Sequence, residues 1–287
     1  MSRLTISTVG VVLAVSTVQL TLFTSAYSQE LKMKNDKSQT ESQNVSDVQI
    51  QVIYDNRAES DEFESAWGFS CLVTADGHKL LFDTGGDGEI LLRNMKKFAI
   101  DSKSITKVVL SHEHWDHVGG LDEFLAMNDS VEVYVLKCFP DEIKKTVTSA
   151  GAIPVEVVDS REIVPGVFTT GEIEGHINEQ ALVVRTDDGL IVITGCAHPG
   201  IVKIVRTARE LLSEKVLFVM GGFHLHQDSD SKVRAIISEL KGLGVQYAAP
   251  CHCSGDNAIE LFRQEMGSRF ISVKAGITIK LEDLGLK

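Results

Sequence analysis

The sequence predicts a layered α/β fold, in which strands and helices alternate along the chain. Apolar residues recur at three- and four-residue steps over residues 201–212 and 233–243, which predicts two amphipathic helices. An apolar strand follows each helix, at residues 215–220 and 245–249. Each of these strands leads into a loop that carries a histidine. Since sites in layered α/β folds are built at the carboxyl ends of strands, we expect the functional residues there.

The other predicted elements follow from β-rich segments that are broken by glycine-containing turns. A turn at residues 83–86 ends the third strand, a second helix is expected to begin near Gly119, and an Asp-Gly pair at residues 188–189 predicts a hairpin. The strands are predicted at residues 48–54, 69–73, 79–82, 107–110, 181–185 and 190–194, and a short helix at 90–98.

Composition limits the class of protein and its partners. The chain has 287 residues, of which 43% are hydrophobic and 24% charged, as in a soluble globular protein. Its 28 Lys and Arg against 40 Asp and Glu give a net charge of −12. Such a surface repels phosphate backbones, so the expected partner is a small-molecule substrate and not a nucleic acid. The sequence does not predict the oligomeric state.

The first 28 residues are typical of an export signal. No charged side chain occurs between Arg3 and Glu30, and Ala26 and Ser28 occupy the small-residue positions of a cleavage site. We expect a signal peptide at residues 1–28, or an uncleaved anchor that would bring the protein to the membrane through residues 4–27. Polar residues 29–47 predict a flexible leader before a domain at 48–287. The expected location is periplasmic or extracellular.

The densest group of metal-binding residue types follows the strand at 107–110. His112 and His114 are one residue apart on an extended segment, so both rings can reach one cation. Asp116 and His117, at the turn into the next helix, can face a second cation. The spacing predicts a site for two metal ions.

This segment resembles the His-x-His-x-Asp-His signature of the metallo-β-lactamase superfamily. The segments 54–56, 195–200, 221–225 and 250–255 together resemble one branch, the dihydropterin-ribofuranosylaminobenzene phosphate synthase-like proteins. The resemblance covers residue 48 to the end. It implies a four-layer αββα sandwich with a metal site at one rim between two central sheets.

The resemblance also implies a ligand set. It carries over to His112, His114, Asp116, His117 and His252, while Cys196 occupies the position of the usual bridging acid. A thiolate can bind zinc and can in principle bridge two ions. The third histidine of the first ion is His198 or His176, of which the branch motif favours His198. His224 is expected to act as a general acid, to contact substrate or to bind metal, so Asp116 and His224 are the catalytic candidates.

Several neighbours of this set have expected roles. Asp83 is expected to bond the backbone or a histidine of the ligand loop. Cys251 and Cys253 are expected to pack as small residues beneath the site. Trp67 and Phe69 are candidates for either the pocket or the core. Residues 58–67 and 139–148 are expected to form rim loops that determine substrate specificity.

Two divalent ions in such a site would activate a water molecule, so hydrolysis is the expected reaction. Zinc is the first expectation, with manganese or iron compatible. The sequence therefore predicts an exported metal-dependent hydrolase of a small ester or phosphoester. The alternatives are the pterin chemistry of the branch, whose building blocks lie inside the cell, and a metal-bound protein that binds a ligand without turnover.

Overall fold

The computed structural model describes residues 43–284, so the expected signal segment and the leader up to residue 42 lie outside the described residues. A compact unit of the chain begins at Asn44. Val45 is buried, and its N–H donates to the Arg185 carbonyl at 2.8 Å. The N–H groups of Ser46 and Asp47 donate to the Asp76 carboxylate. These contacts lie ahead of the Val48 boundary expected from the sequence.

Two mixed β-sheets form the centre of the described part. The first has the order β13-β1-β2-β3-β4-β5-β6 and is antiparallel up to β3 and parallel beyond it. Its strands are β1 Val48–Tyr54, β2 Ser70–Ala75, β3 His78–Phe82, β4 Lys107–Val109, β5 Glu132–Leu136, β6 Ile153–Val157 and β13 Thr278–Lys280.

The second sheet has the order β12-β11-β10-β9-β8-β7 and is parallel across β10, β11 and β12. The predicted hairpin is present, because β9 pairs with β10 antiparallel through the turn before Gly189. Its strands are β7 Asp159–Val164, β8 Val167–Gly171, β9 Leu182–Thr186, β10 Gly189–Thr194, β11 Val216–Gly222 and β12 Tyr247–Cys251.

Side chains of the second sheet alternate between two apolar cores. Val184 and Ile191 belong to the core that the two sheets share, whereas Val183 and Val192 pack with the helices outside the second sheet. A strand that is apolar on both faces needs a layer on each side. The resulting order of layers is helices, sheet, sheet, helices, as the resemblance implied.

The helices lie on the outer faces of the sheets. Those against the first sheet are α1 Gly88–Lys97, α3 Leu121–Met127 and α4 Asp141–Ala150, and those against the second are α5 Ile201–Leu212, α6 Asp230–Gly242 and α7 Asp256–Met266. A single turn, α2 Trp115–Val118, precedes α3, so the helix expected near Gly119 is two elements. The prediction of a rim loop at residues 139–148 was wrong, because most of these residues belong to helix α4. Among residues 43–284, no helix combines the length and the hydropathy that crossing a membrane requires.

Candidate metal centre

Strands of both sheets end at one edge, and the metal-binding residue types follow those ends. β3 and β4 run parallel in the first sheet, as do β10, β11 and β12 in the second. Asp83 follows β3, residues 111–117 follow β4, and residues 195–198 follow β10. His224 follows β11, and His252 follows β12 directly. Residues far apart in sequence thus converge, as in other α/β folds.

Three histidines form the first cluster. Their rings lie close together, with centroids 4.7 Å apart for His112 and His114, 4.6 Å for His112 and His198, and 4.8 Å for His114 and His198. One ring nitrogen of each lies within 4.8 Å of the others, close enough to share a cation. His176 is exposed and is in no such cluster of the described residues. The structure therefore groups His198, and not His176, with His112 and His114.

Four buried side chains form the second cluster: Asp116, His117, Cys196 and His252. The Nε2 atom of His117 lies 3.2 Å from Cys196 Sγ and 3.2 Å from His252 Nε2. Asp116 Oδ2 lies 3.3 Å from His252 Nε2 and 3.7 Å from His117 Nε2. A carboxylate, two imidazoles and a thiol are a ligand set that divalent zinc accepts.

His224 lies at the open side of the two clusters. One ligand atom each of Cys196, His198 and His224 lies within 4.8 Å of the others, so Cys196 connects the second cluster to the first. The His224 ring is exposed, and its centroid is 4.6 Å from that of His198. Its position is open to a substrate as well as to a metal ion.

Hydrogen bonds at Nδ1 orient the buried rings. Asp83 Oδ2 accepts from His117 Nδ1 at 2.7 Å and from Ser111 Oγ at 2.7 Å. With its own proton donated to Asp83, Ser111 Oγ accepts from His112 Nδ1 at 2.9 Å. Both rings then present an unprotonated Nε2 to the site, which is the tautomer that ligates metal. The expected role of Asp83 is confirmed by these contacts.

Glu179, which the sequence did not single out, fixes the loop after β10. Its Oε1 accepts the N–H groups of Gly195, Cys196 and Ala197 at 2.9–3.1 Å. Its Oε2 accepts the His198 N–H at 2.9 Å and His198 Nδ1 at 3.1 Å. Glu179 is fully buried, and it directs the Nε2 atom of His198 to the first cluster. Glu179 stands three residues before the start of β9, and no local pattern marked it as a site residue.

Asp55 and Asn56 hold His252 in the same way from the end of β1. Asp55 Oδ1 accepts the His252 N–H at 2.9 Å, and Asn56 Oδ1 accepts from His252 Nδ1 at 2.9 Å. Asn56 Nδ2 donates to the His252 carbonyl at 3.1 Å. The resemblance had marked this segment without a role, and the contacts supply one: they set the His252 tautomer and its ring direction.

The residues present fit a bound cation. Since Nδ1 of His117 and of His252 donate elsewhere, their Nε2 lone pairs face each other at 3.2 Å and repel unless they share a cation. Among the described residues, His112 Nε2 is the buried side-chain nitrogen or oxygen that has no hydrogen-bond partner. A buried polar atom without a partner is costly, and a metal ion would satisfy it.

Electrostatics keep the ligand atoms in the states that metal binding needs. Burial and the neighbouring His252 lower the pKa of His117 to about 3, and burial with the nearby His117 lowers the pKa of His112 as well. Burial raises the pKa of the Cys196 thiol, so a cation must displace its proton.

The loops of the site hold unusual backbone conformations. Asp83, Ala197, His224 and His252 have φ values of 56°, 60°, 53° and 47°, in the left-handed region that non-glycine residues rarely adopt. Such conformations cost of order 1–3 kcal/mol each and persist where the surroundings fix them. Here the Asp83, Glu179 and Asp55 carboxylates bond the same loops or the segments beside them.

The remaining residues singled out from the sequence divide between core and surface. Cys251 and Cys253 are buried, and Cys253 Sγ donates to the Cys196 carbonyl at 3.6 Å. All five cysteines are free thiols. Phe69 is fully buried in the core, whereas Trp67 is exposed beside His252. His78 and His226 are exposed.

Known proteins resemble this chain in sequence and in fold. The chain is 31% identical over 267 residues to 7,8-dihydropterin-6-methyl-4-(beta-D-ribofuranosyl)-aminobenzene-5'-phosphate synthase of Methanocaldococcus jannaschii, with 76% of this chain and 91% of that protein covered. Among solved structures, Tm1679, a metal-dependent hydrolase of the beta-lactamase superfamily, is similar with a TM-score of 0.68 and 31% identity, covering 81% of this chain and 98% of that one.

A second solved structure shows the fold alone. The metallo-beta-lactamase fold protein YhfI of Bacillus subtilis superposes with a TM-score of 0.62 at 13% identity, covering 82% of this chain and 99% of that one. The family model of the metallo-beta-lactamase superfamily matches residues 68–252, a span that begins ahead of the ligand loop and ends at His252. With helices outside two facing sheets and both ligand clusters within the match, the chain belongs to the metallo-beta-lactamase superfamily.

Proposed function

We propose that this chain is an exported metal-dependent hydrolase that acts on a small ester or phosphoester. The observation that supports this most directly is the convergence of two ligand clusters that meet at Cys196. His112, His114 and His198 would hold one divalent ion, and Asp116, His117, Cys196 and His252 a second. Zinc suits a set rich in imidazole with one thiol, and manganese or iron is the alternative.

Bound divalent ions lower the pKa of a coordinated water towards neutrality and polarise a carbonyl or phosphoryl oxygen of the substrate. The protein's own groups supply orientation and proton transfer. His224, exposed with its ring 4.6 Å from that of His198, can donate a proton to the leaving oxygen. Asp116, a carboxylate of the second cluster, can accept a hydrogen bond from water at the site.

A cavity of about 460 Å³ adjoins the clusters and fits a small molecule. His198, His224 and His226 line it on the side of the clusters, and Phe223 and Ile236 line it elsewhere. The excess of acidic residues disfavours nucleic acid as the substrate.

Pterin chemistry is the second candidate. It is favoured by the 31% identity to the synthase of Methanocaldococcus jannaschii across most of both chains. The export of the protein, proposed from residues 1–28 alone, argues against an intracellular biosynthetic role. For this reason we place hydrolysis first.

Metal content and turnover, measured on the same samples, test the proposal. We expect about two zinc or manganese ions per chain by elemental analysis, and hydrolysis of p-nitrophenyl esters or of bis(p-nitrophenyl) phosphate. Asp116→Ala should lose both metal and activity, while His176→Ala, an exposed histidine outside the clusters, should keep both. Intact metal content with no hydrolysis, but turnover of dihydropterin substrates, would favour the second candidate. No metal and no turnover would overturn both.

A further inference from the structure

The sequence contains two tryptophans, and both lie exposed at the rim of the metal centre. Trp67 is 48% exposed and Trp115 is 62% exposed. Trp115 stands between His114 and Asp116 in the chain, and the Trp67 ring centroid is 5.1 Å from that of His252. Beside ligand residues, two exposed indoles offer flat apolar surface to a molecule that reaches the site.

Gly86 lies between the Trp115 ring and the main chain of Trp67. A Cβ atom at residue 86 would lie 2.5 Å from Trp115 Cζ3 and 3.0 Å from the Trp67 carbonyl oxygen, so a side chain there would displace the Trp115 ring and the main chain at Trp67. The segments are also tied by hydrogen bonds: the Phe69 N–H donates to the Asp116 carbonyl at 3.3 Å, and the Gly68 N–H to Asn56 Oδ1 at 3.1 Å. These contacts hold the main-chain segments that carry the two indoles beside the ligand residues.

We propose that Trp67 and Trp115 form an aromatic rim that stacks a planar ring of the substrate, so that the site prefers aromatic over aliphatic substrates. The inference rests on the proposed function, because the molecule that contacts the rim is the one that reaches the metal centre. Indoles bind flat rings by offset or edge-to-face contact, and they bury a large area against them at little entropic cost. Trp115 lies within the ligand loop and the Trp67 ring lies 5.1 Å from that of the ligand His252, which favours the substrate over a second copy of the chain as the occupant.

Binding of two matched acids tests the inference without any turnover. The probes are 2-naphthoate, which is planar, and decahydro-2-naphthoate, which has the same carboxylate but a puckered ring system. Isothermal titration of the zinc-loaded protein should show tighter binding of the planar acid. Trp67→Ala and Trp115→Ala should each weaken the binding of 2-naphthoate about five-fold. The affinity for decahydro-2-naphthoate should stay within about two-fold of the wild-type value. The phenylalanine variants, which keep a ring, should restore most of the preference.

Met127→Ala is the matched control, since Met127 is also an exposed apolar side chain, at 50%. Equal binding of the two acids by the wild type, or unchanged 2-naphthoate binding in both alanine variants, would overturn the inference. A dimer that is seen by sedimentation and that the alanine variants abolish would also overturn the inference, because the indoles would then belong to an interface between copies. If the protein prefers the planar acid but hydrolyses no substrate, the proposed function is overturned and this inference stands. If the protein hydrolyses substrates at a rate that neither tryptophan variant changes, this inference is overturned and the proposed function stands.

Discussion

Glu179 binds His198 twice, through the main-chain N–H at 2.9 Å and through Nδ1 at 3.1 Å. The same carboxylate accepts the three preceding N–H groups, so one buried side chain fixes both Cys196 and His198. Cys196 is the residue that the resemblance places at the position of the bridging acid, and Glu179 holds the loop that carries it.

Glu179→Gln should therefore weaken metal binding although it removes no ligand. An amide cannot accept all five hydrogen bonds, and its NH₂ group would face an N–H donor. We expect about a 10- to 100-fold loss of zinc affinity, measured by competition with a chromogenic chelator. The free energy of unfolding of the metal-free protein should fall by about 1–3 kcal/mol in urea titrations. Glu174→Gln, an exposed acid in the same segment, is the control, and wild-type zinc affinity in Glu179→Gln would contradict this account.

Asp83→Asn should affect the second cluster more than the first. Asp83 bonds His117 directly but reaches His112 only through Ser111. We expect one of two zinc ions to be lost first when the variant is dialysed against a weak chelator, with elemental analysis as the readout. Asp122→Asn, at an exposed position, should retain both ions. Simultaneous loss of both ions would show that Asp83 supports the two clusters equally.

Elements whose apolar residues repeat with a regular period could be predicted from the sequence. Helix α5 begins and ends at the predicted residues 201 and 212, because its apolar face repeats with the helical period. β7 carries four exposed residues before two buried ones, so its sequence shows no alternation, and no strand was predicted there. Helix α4 was predicted as a loop, because its apolar face is small and gives little helical periodicity.

The sequence predicted the ligands that are close together in the chain. It predicted less well the ligands that only the tertiary structure brings together. His112 to His117 stand in one loop, but the choice between His176 and His198 depends on where the loop after β10 turns. Glu179 sets that turn from 16 to 19 residues away, through a buried carboxylate of a type usually found at surfaces. No periodicity indicates such a contact.

Cys196 should give a spectroscopic signature that separates ligation from mere proximity. Cobalt bound by a thiolate shows a sulfur-to-metal charge-transfer band in the near ultraviolet, and we expect this band in the cobalt-loaded protein. Cys196→Ser should abolish it. Cys138→Ser, an exposed thiol, should leave it unchanged, and so should Cys253→Ser, whose sulfur donates to a carbonyl. A band that persists in Cys196→Ser would assign the sulfur ligand to another cysteine.

Tryptophan fluorescence should report metal binding, because both tryptophans of the chain lie at the site. Cobalt quenches nearby indoles, so emission should fall as cobalt is added and saturate together with the charge-transfer band. Trp115→Phe leaves Trp67, whose ring lies 5.1 Å from that of the second-cluster ligand His252. In that variant, quenching should follow occupation of the second cluster, and Asp83→Asn should shift it to higher cobalt concentration. Magnesium, which disfavours imidazole and thiolate ligands, is the control titrant. Emission that cobalt leaves unchanged, while the charge-transfer band still forms, would place the indoles too far from the metal for the proposed rim.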